Sequence, residues 1–363
     1  MINGHGGNIY ETARRLGCLP EDIVDMSSNI NPLGMPPGLR ESLRDRLKTV
    51  GVLPEVDGRS AAGHMAGLLD VDEHRVLAGN GTTHFIYTAC PALDARKVLI
   101  VAPTYADYAD ACRMHDIRPH HFLTREDERF EVRMAHLDQA VHDMDAVFIC
   151  NPNNPTGMQI PREGLQRLCE AHPGTHFIID ESYLPFVPGG QPLSMITPDL
   201  SNVSVLWSIS KIFGLPGIRA GFLIAGEAVV ARFRRFMQPW SLNSLAQAAV
   251  AWLGSHQATV AEFIGQTASF LEQERQRFRK YLAAATRMDL FESRTSYLLM
   301  ALPSGWRAGD VCRAMEKKRI LVRNCSNFHG LSDRYVRVAL KDPDTNRAAA
   351  QHLLMLLTTA GEG

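Results

Sequence analysis

The residues best suited to chemistry stand together in Ser208-Ile209-Ser210-Lys211, followed by Ile212-Phe213-Gly214-Leu215-Pro216-Gly217-Ile218-Arg219. Just before them, Val203-Ser204-Val205-Leu206-Trp207 is apolar and β-branched enough to form a buried strand. A lysine delivered by such a strand offers an amine that can condense with an aldehyde. Ser208, Ser210 and Arg219 offer donors to a phosphate. Pyridoxal 5'-phosphate (PLP) carries both groups. To work this way Lys211 must be able to lose its proton, and burial beside Arg219 would lower its pKa. A lone lysine on a loop is equally well a solvated charge, so the neighbouring motifs have to decide.

Two further motifs point the same way. Val76-Leu77-Ala78-Gly79-Asn80-Gly81-Thr82-Thr83-His84 leads into a helix to about Ala89. A glycine loop at a helix start presents free amide hydrogens to a phosphate, although the spacing is not that of a Walker loop or a dinucleotide fingerprint. Asp180 closes the apolar run Phe177-Ile178-Ile179, at the edge of an interior where an unpaired charge is costly. A protonated pyridine nitrogen would be its natural partner; a helix N-cap or a surface ion pair would also account for it. Tyr183, and Asn154 within Asn151-Pro152-Asn153-Asn154-Pro155-Thr156-Gly157, could hydrogen-bond the ring oxygen of such a cofactor. Tyr105 could stack on the ring, although an aromatic there is more often plain core.

These loops need a frame. Lys97–Val101, Asp145–Cys150, His176–Ile179 and Val203–Trp207 read as short apolar strands, with helices from Pro103-Thr104-Tyr105 onward and around Arg162–His172. That alternation predicts an α/β fold with a mostly parallel sheet between helices, whose ligands collect at the carboxyl ends of the strands. Helices are also predicted over Ile9–Leu16, Leu39–Leu47 and Ala61–Leu69, and from Ser244 to about Ala284. Beyond that, Tyr297–Leu302, Ile320–Arg323 and Tyr335–Leu340 read as strands, mixed with helices Ala308–Lys317 and Asp344–Thr358.

At 363 residues the chain is long for one core. It divides into an N-terminal arm and part of a small domain (1–38), a large domain (39–240), and linking helices with the small domain (241–363). Apolar residues at 45% and charged residues at 21% fit a soluble globular protein. A net charge of −1 with no dense Lys/Arg run argues against nucleic acid or an anionic membrane as the partner. No apolar run reaches membrane-spanning length and no basic-then-apolar signal opens the chain. The seven scattered cysteines include no C-x-x-C pair, as expected of reduced thiols in the cytoplasm. No metal site is expected.

In chain order the motifs run phosphate loop, aromatic, Asn loop, Asp-x-x-Tyr, Ser-x-Ser-Lys and Arg. Along essentially its full length the chain resembles the fold-type I PLP enzymes of the class I/II aminotransferase superfamily, a large domain with a mostly parallel sheet plus a smaller α/β domain. The resemblance implies that Lys211 forms the Schiff base, Asp180 partners the ring nitrogen, and Asn154 and Tyr183 contact the ring oxygen. Tyr105 would stack on the ring, and Gly81, Thr82, Ser208, Ser210 and Arg219 would bind the phosphate. Arg337, in Tyr335-Val336-Arg337-Val338-Ala339, matches the arginine that holds the substrate α-carboxylate.

Two branches share these motifs, the histidinol-phosphate aminotransferases and the L-threonine O-3-phosphate decarboxylases of cobalamin biosynthesis. His5-Gly6-Gly7-Asn8, Ser28-Asn29-Ile30-Asn31-Pro32-Leu33-Gly34, Gln238-Pro239-Trp240-Ser241-Leu242-Asn243 and the stretch Ile320–Tyr335 resemble the decarboxylase branch. That implies a phosphorylated amino acid as substrate, with Arg323 and Arg337 for its carboxylate and phosphate and His5, Asn8 and Asn29 completing the phosphate cage. Arg323 would equally suit a surface ion pair. Transamination of histidinol phosphate is the alternative. A non-catalytic PLP-binding regulator would carry a basic DNA-binding extension, and none is evident. The resemblance also implies a homodimer with sites at the interface. Here the family's usual Tyr-Pro-Asp is replaced by Leu53-Pro54-Glu55, and Leu53 cannot supply the hydroxyl that reaches the neighbouring subunit's cofactor phosphate.

Overall fold

The computed structural model describes residues 6–283 and 288–359. The N-terminal arm carries α1 (Ile9–Leu16) and β1 (Val24–Asp25), followed by α2 (Leu39–Arg46) and α3 (Arg59–Leu69). The central sheet is built from β2 (Val76–Gly79), β3 (Val98–Ala102), β4 (His120–Leu123), β5 (Ala146–Cys150), β6 (His176–Asp180), β7 (Val203–Ser208) and β8 (Gly221–Ala225). Between its strands run α4 (Thr82–Leu93), α5 (Asp107–Met114), α6 (Met134–Val141), α7 (Arg162–Ala171) and the single turn α8 (Ile209–Ile212), with α9 (Glu227–Arg234) after them. Two helices, α10 (Ser244–Ser255) and α11 (Gln257–Leu282), lead to a second sheet region. It holds β9 (Asp289–Leu290), β10 (Tyr297–Ala301), α12 (Ala308–Glu316), β11 (Ile320–Leu321), β12 (Arg323–Asn324), β13 (Tyr335–Ala339) and α13 (Pro343–Thr359).

The large sheet has the order β2-β8-β7-β6-β5-β3-β4. All neighbours are parallel except β8, which is antiparallel to both β2 and β7. Every residue of β2, β3, β5, β7 and β8 is buried, which is why these strands are near-continuous apolar runs rather than alternating ones. The register aligns Cys150 with Asp180, and Gly221 with both Gly79 and Ser208. The last residues of β2, β5, β6 and β7 therefore share one edge, and that edge carries the site.

Several boundaries differ from the sequence expectation. The helix foreseen at Pro103-Thr104-Tyr105 starts at Asp107, which leaves Tyr105 on the connecting loop. The helical run after Ser244 breaks at His256, whose φ of −124° and ψ of 43° are not helical. Ile320–Arg323 is not one strand: β11 pairs with β1 in parallel, and β12 pairs with β13 in the antiparallel sheet β12-β13-β10-β9. One short stretch thus joins the N-terminal arm to the second sheet. The arm is also tied to the lysine loop, where Asn31 donates from N to Lys211 O at 3.0 Å and from Nδ2 to Ile212 O at 2.7 Å and Thr267 Oγ1 at 2.9 Å.

Candidate active site

A cavity of about 280 Å³ opens at the carboxyl edge of the large sheet. It receives Ser210 and Lys211 from α8, Ser208 from the end of β7, Asp180 from β6 and Tyr183 three residues on. Asn154 comes from the loop after β5, Tyr105 from the loop after β3, and Gly81 and Thr82 from the start of α4. Arg219, Asn29, Arg323 and Arg337 complete the wall. Asn8 stands elsewhere: it caps α1, accepting from Glu11 N at 3.2 Å and donating to Glu11 Oε2 at 2.6 Å. That is the ordinary use of an asparagine one residue before a helix, so Asn8 does not join the phosphate cage expected of it. His5 lies outside the described residues.

At the phosphate end, α4 begins without a side-chain cap, so the first backbone N–H groups of its N-terminus are open to an anion. Gly81 has φ +74°, and a Cβ there would stand 2.5 Å from Arg219 Nη2. Only glycine lets the helix start and the guanidinium converge on one small volume. Ser208 Oγ accepts from Ser210 N at 3.1 Å, which caps α8 and leaves the Ser208 hydroxyl hydrogen available to a ligand.

At the ring end, Asp180 is 6% exposed. Ser182 N donates to its Oδ1 at 3.0 Å and the Tyr108 hydroxyl donates to its Oδ2 at 2.8 Å. Burial raises the Asp180 pKa, while Ser182, Tyr108 and the nearby Lys211 charge oppose that rise. Tyr108 is held in turn by parallel stacking on Phe148, ring centroids 5.0 Å apart, and by the edge of Tyr105 at 5.7 Å. Sequence reasoning passed over Tyr108, because a tyrosine inside an amphipathic helix looks like core until the topology brings β6 beside it. Desolvation brings Lys211 down to about 8, with the Arg337 and Arg219 charges adding to the effect. Its amine therefore exchanges a proton near neutral pH.

Burial pushes Tyr183 up to about 12, so its hydroxyl keeps its proton. Asn29 Nδ2 donates to that oxygen at 3.0 Å, leaving the Tyr183 hydrogen to be given to a ligand. Arg337 donates from Nη1 to Asn154 Oδ1 and from Nη2 to Ser27 O at 2.6 Å, and lies over the Tyr297 ring at 5.1 Å. With its carbonyl so occupied, Asn154 presents its amide hydrogens. Arg323 is held by Asn324 O at 2.6 Å and Asn327 Oδ1 at 2.7 Å, with Phe328 beneath it at 5.0 Å. Asn327 and Phe328 also line the cavity; both fall in the Ile320–Tyr335 stretch that resembles the decarboxylase branch, but no site role was expected of either, since only long-range folding brings them there.

The donor set fits PLP on the structure's own terms. Asn29 Oδ1 and Arg337 Nε are buried without a protein partner, and such groups are costly unless something else satisfies them. A desolvated carboxylate stands ready for a cationic ring nitrogen, a low-pKa amine for an aldehyde, and a helix N-terminus with an arginine for a phosphate. Among the described residues no cluster of three or more His, Cys, Asp or Glu could hold a metal ion, and no helix is long and apolar enough to cross a membrane.

The fold and the site define a PLP-dependent enzyme of fold type I. Residues 21–353 match the family described as aminotransferase class I and II, and the chain belongs to that family. It is similar to the threonine-phosphate decarboxylase of Salmonella typhimurium, 33% identical over 359 residues that cover 98% of this chain and 97% of the relative. It is also similar to the histidinol-phosphate aminotransferase of Methanocaldococcus jannaschii, 28% identical over 92% of this chain and 89% of that one. Among solved structures, the L-threonine-O-3-phosphate decarboxylase of Porphyromonas gingivalis superposes with a TM-score of 0.82 at 28% identity, covering 92% of this chain and 99% of its own.

Proposed function

We propose that this protein decarboxylates L-threonine O-3-phosphate to (R)-1-amino-2-propanol O-2-phosphate, which serves as the linker of the cobalamin nucleotide loop. The observation that carries this is the presence of Arg323 and Arg337 in one cavity with Arg219. The cofactor phosphate answers Arg219. A substrate bearing both a carboxylate and a phosphate answers the other two, and planar bidentate donors suit both anions. Histidinol phosphate has a phosphate and no carboxylate, so of these two substrates only the phosphorylated amino acid answers both guanidiniums within one molecule. Similarity to the Salmonella decarboxylase over 98% of the chain supports the same assignment.

When bound, PLP supplies a ring that accepts the electron pair of a bond broken at the substrate's amino carbon. Asp180 would stand against the ring nitrogen, and Tyr183 and Asn154 would donate to the ring oxygen. Arg323 and Arg337 would hold the two substrate anions and so fix the orientation of the bond to the carboxylate. The grip on the remote phosphate contributes binding energy that orients the reacting bond. As the carboxylate leaves as carbon dioxide, Lys211 Nζ delivers the proton that takes its place on the amino carbon. We place this enzyme in the cytoplasm as a homodimer, which its seven unpaired thiols and the exposed apolar side chains of Val50, Val52 and Leu53 support.

The test is incubation of the PLP-loaded protein with O-phosphothreonine and no keto acid. Carbon dioxide and aminopropanol phosphate should form in equal amounts. Turnover that needs a keto-acid acceptor would instead make the protein an aminotransferase.

A further inference from the structure

The turn after β12 forms one wall of the cavity through Asn327 and Phe328, then reaches the edge of the large sheet. There the ring of His329 lies on that of His121, on the edge strand β4, with centroids 4.1 Å apart and planes tilted by 40°. The next residue, Gly330, has φ +93°, and a Cβ on it would stand 2.9 Å from Leu123 Cδ2, also on β4. Leu331 N donates to Phe328 O at 2.9 Å and closes the turn. One short segment thus fastens the Arg323–Phe328 wall to a strand of the other sheet, and the histidine pair is its polar point of contact.

We propose that the His121–His329 stack is a proton-sensitive clasp, holding the Asn327–Phe328 wall over the cavity at neutral pH and releasing it as the pH falls. Two neutral imidazoles stack without penalty, whereas two imidazolium ions at this separation repel. The surroundings are poor in compensation. His121 shares its neighbourhood with His120 on its own strand, Arg113 on α5, Asp116 and Arg118 on the connection from α5, and His329 on the turn. Arg113 is paired with Asp110 at 3.0 Å, which leaves Asp116 as the one carboxylate lining this depression beside three basic side chains and His329. Burial, then His329, Arg113 and His120, bring His121 from 6.5 down to about 4.

The sign follows from linkage. A base whose pKa is depressed in the closed arrangement favours closure fully above about pH 6.5. It favours opening increasingly as the pH falls from there toward about 4, by up to about tenfold per unit.

Amide hydrogen exchange of residues 325–331 in the full-length, PLP-loaded protein tests the clasp, with rates corrected for intrinsic exchange at each pH. Between pH 7.5 and 5.5 the opening equilibrium should rise about tenfold in the wild type and stay flat in His121→Phe, which keeps an aromatic face but cannot take a proton. His121→Asn serves the same purpose if the phenylalanine variant does not fold. A contact of purely structural value would raise exchange in the variants by one factor at every pH and keep the wild-type slope. That result, or a flat wild-type profile, would overturn the proposal.

Discussion

Asp180 and Lys211 carry opposite burdens, and each is set by a neighbour. The carboxylate sits in an interior that favours its neutral form, and the Tyr108 hydroxyl at 2.8 Å is the side-chain donor seen on its Oδ2. Tyr108→Phe deletes that donor without changing the shape, and a hydrogen bond to a charged group is worth about 1.5–3 kcal/mol. The variant should bind PLP roughly ten- to a hundredfold more weakly, and the bound chromophore should change its absorbance at a different pH, read by equilibrium titration and visible spectra. An unchanged spectrum and affinity would remove Tyr108 from the cofactor's support. Lys211→Ala should abolish the visible absorbance of the covalently attached cofactor and the adduct that borohydride fixes; survival of either would mean that another amine holds PLP. Lys211, Asp180 and Arg219 were legible because each ends or follows an apolar strand, where a charge needs a reason to be. Tyr108 was not, since a helix hides which of its aromatics faces a ligand until the neighbouring strands are in place.

At the scale of elements, β6 delivers two adjacent carboxylates to opposite uses. Asp180 enters the cavity, while Glu181, 1% exposed, takes the Ser194 hydroxyl at 2.5 Å and Met195 N at 2.7 Å, fastening the loop before β7. Burial drives Glu181 from 4.5 up to about 7, with the Asp180 charge adding to it. A carboxyl raised in the folded state stabilises the fold most below its unfolded pKa and loses that contribution as the pH climbs through about 7. Glu181→Gln keeps the carbonyl for Met195 N, and the Ser194 hydroxyl can turn to accept from the new amide. Its melting temperature relative to wild type should therefore rise from pH 5 to pH 8, by an amount corresponding to about 2–3 kcal/mol. A constant difference across that range would contradict the buried-acid account. The central strands were readable from their apolar runs, but β2, β4 and β8 were not. His120–Leu123 is a half-exposed edge with no clear alternation, and Gly221–Ala225 is a five-residue apolar run whose period does not separate strand from helix.

For the whole molecule, the segment from Leu47 to Val56 is difficult to reconcile with a lone subunit. Leu47, Val50, Val52, Leu53 and Val56 are all exposed, Leu53 by 73%, and Trp240, 49% exposed, donates from N to Val56 O at 2.8 Å. Single exposed apolar residues are common, but five within ten residues, with Trp240 bonded to the last of them, are what a surface that meets another protein would present. A second copy of this chain is the occupant we expect, and in that arrangement Leu53 brings no hydroxyl to a neighbouring site. Sedimentation velocity at micromolar concentration should therefore show a dimer. The double substitution Val52→Lys with Leu53→Lys, which places two like charges on each facing strip, should shift it to monomer without lowering the melting temperature of the subunit itself. If PLP affinity is unchanged in that monomer, the dimer contributes nothing to the cavity; a loss of tenfold or more would mean that the partner helps to close it. A wild-type protein that sediments as a monomer would leave the strip to a different partner and remove the second copy from the site altogether.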